Sequence, residues 1–357
     1  MHIGGKMEKQ QSNKKYISSF LLLVTLMTIT YCYIFKNCNF EMLGRVIKQA
    51  RHEYLVVGLI LMLVYIVLEG VNFRIIGHSL GHSLSFIKSF CYACIDLYFC
   101  GITPSATGGQ PVLAYYMTKD GIPISKSSIM ILLYTVMYKT VLLLLGIIVS
   151  VVHFDFVLQS NLTVVLFTVG IIINIIVIAV CLMCMYSRKV VETIVIKTIE
   201  FLGKVHIIKE PETKKEVFYS LLADYHQSAE FVKENPRVLA RMFVVTLIQR
   251  LAYFAVGYCV YKSFGRTGYG LQDIIALQVV ISITVDSLPL PGAVGVSEGM
   301  FLLLYTKVYG ATIIAPAMLL TRGINFYMML LLTGIMTMGF HFFKNRPAKV
   351  LKGESIE

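Results

Sequence analysis

Seven ionisable side chains stand inside otherwise apolar stretches of the 357-residue sequence: Glu69, Asp96, Lys139, Arg250, Asp286, Glu298 and Arg322. A charge at the centre of a bilayer costs at least about 2.5 kcal/mol on insertion scales, so such residues face a protein interior or a watery cavity and find partners there. Their chemistry is charge recognition. Three cations can hold a phosphate, and four carboxylates can hold an ammonium, a proton or the cations themselves. The plain alternative is mutual pairing, for example Glu69 with Lys139 and Asp286 with Arg322. Asp286 and Glu298 are the one carboxylate pair placed for acid–base work, and no His accompanies them, so no catalytic residue is assigned.

These charges flank two segments broken by proline and glycine. One runs Ile102-Thr103-Pro104-Ser105-Ala106-Thr107-Gly108-Gly109-Gln110-Pro111, the other from Leu288 through Pro289, Pro291, Gly292 and Gly295 to Glu298. Pro104 and Pro291 are 187 positions apart, the preceding spans begin near Tyr54 and Arg237, 183 apart, and the following ones near Ser127 and Thr312, 185 apart. Three landmarks agreeing within four residues indicate an internal duplication. Lys139 shifted by 185 falls beside Arg322, and Glu69 shifted by 183 falls beside Arg250. Interrupted apolar segments at matching places in two halves are the sequence mark of a transporter's binding site. Bilayer interior tolerates open backbone only where protein or water satisfies its polar groups.

After each break the chain can restart a helix, with Ser105 or Thr107 in the first and Ser297 in the second available to cap it. Free N–H groups at a helix start attract phosphate, and glycines let a headgroup approach the backbone. The expected substrate site therefore comprises Thr103, Pro104, Gly108, Gly109, Gln110, Lys139, Arg250, Asp286, Pro289, Pro291, Gly292, Gly295, Glu298 and Arg322. An anionic phospholipid headgroup fits this cationic setting. An inorganic anion or a polyprenyl phosphate fits it as well.

What must position these residues is a membrane bundle. With 57% hydrophobic and 15% charged residues and a mean hydropathy of +0.73, the chain has too little polar surface for a soluble globule. Stretches 17–35, 54–75, 127–152, 162–185, 237–261 and 312–340 are long and apolar enough to span. The first lacks a small-residue cleavage pattern at Tyr31-Cys32-Tyr33 and is expected to be a retained span rather than a signal peptide. Trp is absent, and the 21 Tyr can take its interfacial role.

If each broken segment is a re-entrant hairpin and both termini are cytoplasmic, inside segments carry 21 of the 32 basic residues, outside segments seven and spans four. The 36–53 loop, with Lys36, Arg45, Lys48 and Arg51, is the one exception to this bias. Span 54–75 then runs inward and its counterpart 237–261 outward. The expected fold is an all-α polytopic membrane protein of two inverted repeats with re-entrant broken helices, about six full spans plus two hairpins. It forms one transmembrane domain: first span and outer loop 1–53, repeat one 54–152, linker span and cytoplasmic helices 153–236, repeat two 237–343, and tail 344–357. If the hairpins spanned fully, eight crossings would place the lysine-rich 186–236 segment outside.

That segment balances eight basic and eight acidic residues and reads as a helical hairpin divided at Pro211. The net charge of +12 is mostly the orientation signal and calls for no nucleic acid. Cys91-x-x-Cys94 and Cys181-x-x-Cys184 sit in apolar runs as small hydrophobes. His78 and His82 are spaced for a metal, but a Ser- and Gly-rich loop offers no rigid helix, and neither a metal nor another cofactor is expected.

The combination Thr103-Pro104-x-x-x-Gly108-Gly109-Gln110, then Pro289-x-Pro291-Gly292-x-x-Gly295-x-x-Glu298, resembles the transmembrane region of the lysylphosphatidylglycerol synthase/flippase family over nearly the whole chain. The resemblance implies a polytopic bundle with re-entrant helices that moves aminoacylated phosphatidylglycerol to the outer leaflet, lowering surface negative charge and conferring resistance to cationic peptides. Family members of full length also carry a soluble aminoacyl-transferase domain. The residues from Lys344 to Glu357 are too few to form one, so phosphatidylglycerol lysyltransferase activity is not expected of this polypeptide alone. A membrane scaffold for a separate synthase is a further reading. Membrane phospholipid is the expected partner, and a separately encoded aminoacyl-lipid synthase and a homo-oligomer are left open.

Overall fold

The computed structural model describes residues 50–204, 211–286, 288 and 290–344, together with Arg45 and Lys48; the expected span 17–35, Pro289 and the tail from 345 lie outside them. Among the described residues there are helices and no strand. Five helices among the described residues are long and apolar enough to cross a bilayer: α1 (His52–Ser79), α4 (Ile124–Val152), α5 (Asn161–Tyr186), α8 (Pro236–Ser263) and the segment Ile314–Phe342. Each coincides with a span expected from hydropathy. The protein is an all-α membrane protein. α5 is apolar all round, and only 17% of its most apolar window is buried, so its remaining surface suits lipid.

Helix boundaries follow local chemistry. Ser85 caps α2 (Phe86–Ile102) by accepting from the Lys88 amide, Ser160 caps α5 by accepting from the Thr163 amide, and Pro236 opens α8 at a position where a missing N–H is harmless. α2 and α3 (Gly109–Lys119) flank the first break, while α9 (Leu271–Val285) and α10 (Val296–Leu304) flank the second. At 9 to 17 residues all four fall short of the roughly 20 needed to cross. The last span divides into α11 (Ile314–Arg322), a π-helical stretch Gly323–Met328 and α12 (Met329–Lys344). His78, expected in a loop, closes α1, and His82 lies past its end.

α1 and α8 form the most extensive helix contact, and they run antiparallel. The Arg51 amide donates to Ser263 O, the Cβ position of Gly58 meets Cys259, Arg250 donates to Tyr65, Gln249 to Glu69, and Asn72 to Thr246. The halves also interlock, since α2 packs on both α1 and α12, while α9 packs on α8, α4 and α5.

Contacts between helix ends sort the loops into two groups. Lys126 donates to Leu80 O, Ser125 to Asp224, Tyr225 to Cys184 O, and Tyr116 pairs with His341. These gather the ends of α1, α3, α5 and α12, the start of α4, and the polar pair α6 (Arg188–Lys204) and α7 (Pro211–Glu234) at one end of the bundle. At the other end Arg51 meets Ser263, His153 meets Asp273 at 3.8 Å, and Arg266 donates to Tyr309 O.

Candidate functional site

Each break carries a single turn of 3-10 helix opened by proline, Pro104–Ala106 and Pro291–Ala293, and the two turns pack against one another. Ala106 and Ala293 end these turns with positive φ, 54° and 49°. That conformation costs a non-glycine residue on the order of 1–2 kcal/mol. Gly292 also has a positive φ, 56°, and a Cβ there would strike the Phe326 ring, so glycine is required by both backbone and space. Gly295, at φ 88°, faces open space and is held by conformation alone.

A cavity of about 220 Å³ lies beside the paired breaks. Ala106, Gly292 and Ala293 of the breaks line it, as do Arg250, Asp286 and Arg322. The charges there are not equivalent. Lys139 forms an ion pair with Asp286, which also accepts from Tyr138 OH at 2.9 Å. Arg322 pairs with Glu298 at 2.8 Å, donates to Gly292 O at 3.1 Å and lies over the Phe326 ring. The partners differ from those the sequence offered as examples. Charge type alone does not choose among several carboxylates, and the interlocking of α4 with α9 and of α10 with α11 does.

Arg250 is the exception. Its guanidinium stacks 3.7 Å from the centre of the Tyr138 ring and donates to Tyr65 OH at 3.2 Å, yet no carboxylate pairs with it among the described residues and Nε has no partner. It is 4% exposed. A buried guanidinium held by ring faces, with Nε–H unpartnered, can bond an anion such as phosphate.

The helix starts beyond the breaks are organised differently from expectation. Neither Thr107 nor Ser297 caps them, and the Ser105 side chain lies outside what is described. Thr103 Oγ1 accepts from the Gly108 amide at 2.9 Å, and Glu298 Oε2 from the Gly295 amide at 2.6 Å. Asp96 Oδ1 occupies the space a Cβ on Gly109 would need. The second half-helix start thus meets a carboxylate of the protein, the charge that N-terminal N–H groups favour, while the first is capped by a hydroxyl. Gln110 donates to Thr135 at 3.0 Å. Arg250, Asp286, Gly292 and Arg322 line the cavity, and Lys139 and Glu298 stand behind as ion-pair partners. Thr103, Pro104, Gly108, Gly109, Gln110 and Gly295 build the turns without lining it, and of Pro291 the backbone alone is described. Tyr65, Tyr138 and the strained alanines are cavity residues that charge and motif reasoning did not single out; Tyr138 adjoins Lys139 and each alanine lies two residues after a proline, while Tyr65 carries no such signal.

A family model for the lysylphosphatidylglycerol synthase TM region matches residues 16–333. The chain belongs to that family. A UPF0104 membrane protein of Archaeoglobus fulgidus is 24% identical over 305 residues, which cover 82% of this chain and 88% of that protein. The family membership agrees with the resemblance carried by the two broken segments, and both break motifs lie inside the matched range.

Proposed function

We propose that this family member is a phospholipid transporter that carries an anionic or aminoacylated headgroup through the cavity between the two breaks. The observation that carries the reading is Arg250. It is a cavity-lining cation without a carboxylate partner among the described residues, whereas Lys139 and Arg322 are already paired. A phosphodiester would complete its hydrogen bonds, while an ammonium on an aminoacylated headgroup would compete for Asp286 or Glu298. The substrate class rests on the family's name and on this arrangement together.

The transport architecture is two inverted repeats with both termini cytoplasmic. Antiparallel α1 and α8 support it, because hairpins that crossed fully would leave these helices parallel. The grouping of loops supports it as well: 118–126 and 188–233 share the end that carries the lysine-rich helices, opposite 262–270 and 306–309.

The test is reconstitution of the full chain in vesicles with fluorescent phosphatidylglycerol, lysyl-phosphatidylglycerol and phosphatidylcholine. Translocation of the first or second, lost in Arg250→Ala and reduced in Arg250→Lys, is the expected result. Undiminished translocation by Arg250→Ala would refute the site. Single cysteines at Lys119 and Arg266 in a cysteine-depleted background should label from opposite faces, and labelling from one face would refute the inverted arrangement.

A further inference from the structure

A second buried charge centre adjoins the cavity. Glu69 of α1 and Asp96 of α2 are 1% and 7% exposed, and their carboxyl groups face one another within hydrogen-bond distance. Two ionised carboxylates offer only acceptors and repel. Glu69 Oε1 and the neighbouring Gln249 Oε1 are buried without any donor. Gln249, itself 0% exposed, spends its amide hydrogens on Glu69 Oε2 and Tyr134 OH, both at 3.2 Å. Among the described residues the Tyr134 hydroxyl and the Gln249 amide are the donors beside Glu69, and neither is a partner of Oε1; a proton between the two acids would meet it and remove the repulsion of adjacent carboxylates.

The surroundings connect this centre to the cavity by two routes. Along the α1–α8 seam, Glu69 and Gln249 stand next to Tyr65 and Arg250, both cavity-lining. Through α2, the Cys100 thiol donates to Ala106 O at 3.2 Å and lies 3.6 Å from Asp96 Oδ1, and Cys100 and Ala106 both line the cavity. The groups facing the pair are therefore Tyr65 from α1, Cys94 and Cys100 from α2, the Gly109 turn of α3, Tyr134 from α4, and Gln249 and Arg250 from α8. Arg250 is the one cation among them.

We infer that Glu69 and Asp96 share one exchangeable proton, and that uptake of a second is linked to anion binding at Arg250. The charge balance gives the reason. With one shared proton the pair carries one negative charge, which offsets Arg250. An anion arriving at Arg250 leaves the cluster net negative, and a proton taken from water onto the remaining carboxylate restores neutrality. Linkage is reciprocal, so protonation of the pair strengthens anion binding by the same factor. The inference rests on the anion site proposed above and adds the ion that accompanies transport.

The experiment adds short-chain phosphatidylglycerol to the purified full chain in nonionic detergent, in weakly buffered medium with a pH indicator. Inorganic phosphate and phosphatidylcholine form the parallel arms. Binding should take up one proton per phosphatidylglycerol, and uptake should be lost in the double variant Glu69→Gln/Asp96→Asn, which keeps neither carboxylate to accept it. Gln and Asn keep the volume and remove the titratable group, and thermal unfolding checks that the variant is folded. Uptake with phosphate as well as phosphatidylglycerol would identify the phosphoryl group alone as the linked ligand; uptake with the lipid alone would require the glycerol headgroup. Without ligand, the infrared stretch of a protonated carboxyl should be present in the native chain and absent from the double variant. Binding without proton uptake, undiminished uptake in the double variant, failure of every probe to bind, or absence of the infrared band would each overturn the inference. Linked uptake in a protein that translocates no lipid in vesicles would instead sink the transport reading and leave the proton site standing.

Discussion

Ala106 and Ala293, 187 residues apart, hold corresponding places in two 3-10 turns opened by proline. Each ends a 3-10 turn that began at a proline, each has a left-handed φ, and each lines the cavity where the turns meet. Strain of this kind persists only where the surroundings impose it, and it concentrates at functional sites. Replacing either alanine by glycine should relieve it and raise stability by up to about 1 kcal/mol, the backbone entropy of glycine offsetting the rest. Valine should be harmful at both positions. Thermal unfolding in detergent measures this, and a stability loss in both glycine variants would contradict the left-handed turns.

Lys139 and Asp286 are each 14% exposed at the side chain and join α4 to the second break. Removing either partner leaves a largely buried charge uncompensated, so Lys139→Ala or Asp286→Ala alone should destabilise by roughly 3–5 kcal/mol. A double change to Lys139→Met and Asp286→Leu should recover most of that. Folded yield and unfolding midpoint are the readouts, and a double variant no better than the singles would mean that the two residues act independently.

Gly292 and Gly295 should respond differently to the same change. Gly292→Ala meets the Phe326 ring as well as an unfavourable φ, whereas Gly295→Ala meets no atom within 4 Å. The second should cost on the order of 1–2 kcal/mol from conformation alone, and the first clearly more. Phe326→Ala should rescue part of the Gly292→Ala loss and none of the Gly295→Ala loss. Comparable losses at both positions would place Phe326 elsewhere.

The antiparallel seam between α1 and α8 can be locked. A Cβ on Gly58 would lie 3.5 Å from Cys259 Cβ, within the range that a disulfide spans. Cys259 is a free, buried thiol. Gly58→Cys should therefore crosslink to Cys259 under mild oxidation, detected as a link between the peptides that contain them. A parallel pairing of α1 and α8 would put these residues near opposite ends of the bundle, and no link would form.

Crowding at the first break gives a further test. Gly109→Ala would push on Asp96 Oδ1, Cys100 Sγ and the Asp96 carbonyl together. It should lower stability more than alanine at Gly121 or Gly81, where a Cβ meets nothing within 4 Å and only the positive φ opposes it. Unfolding midpoints of the three variants provide the comparison.

The spans and the breaks were legible in the sequence because both are local properties. A run of apolar residues must leave water wherever its neighbours lie, and Pro104, Pro291 and Gly292 interrupt a helix through their own backbone limits. The division of 186–236 at Pro211 has the same origin, since α7 begins at that proline. The charged residues were equally visible, because ionisable groups in apolar stretches stand out by composition. Their partners were not. Lys139 with Asp286, Gln249 with Glu69 and Arg250 with Tyr65 are separated by 147, 180 and 185 residues. Opposite charge fits several combinations equally, and the choice falls to how α1 seats against α8 and α4 against the second break. Tertiary packing alone left Arg250 without a carboxylate among the described residues, brought Glu69 against Asp96, and met the second half-helix start with the Glu298 carboxylate. In a medium without water, each buried charge must be balanced by whatever the packing places beside it.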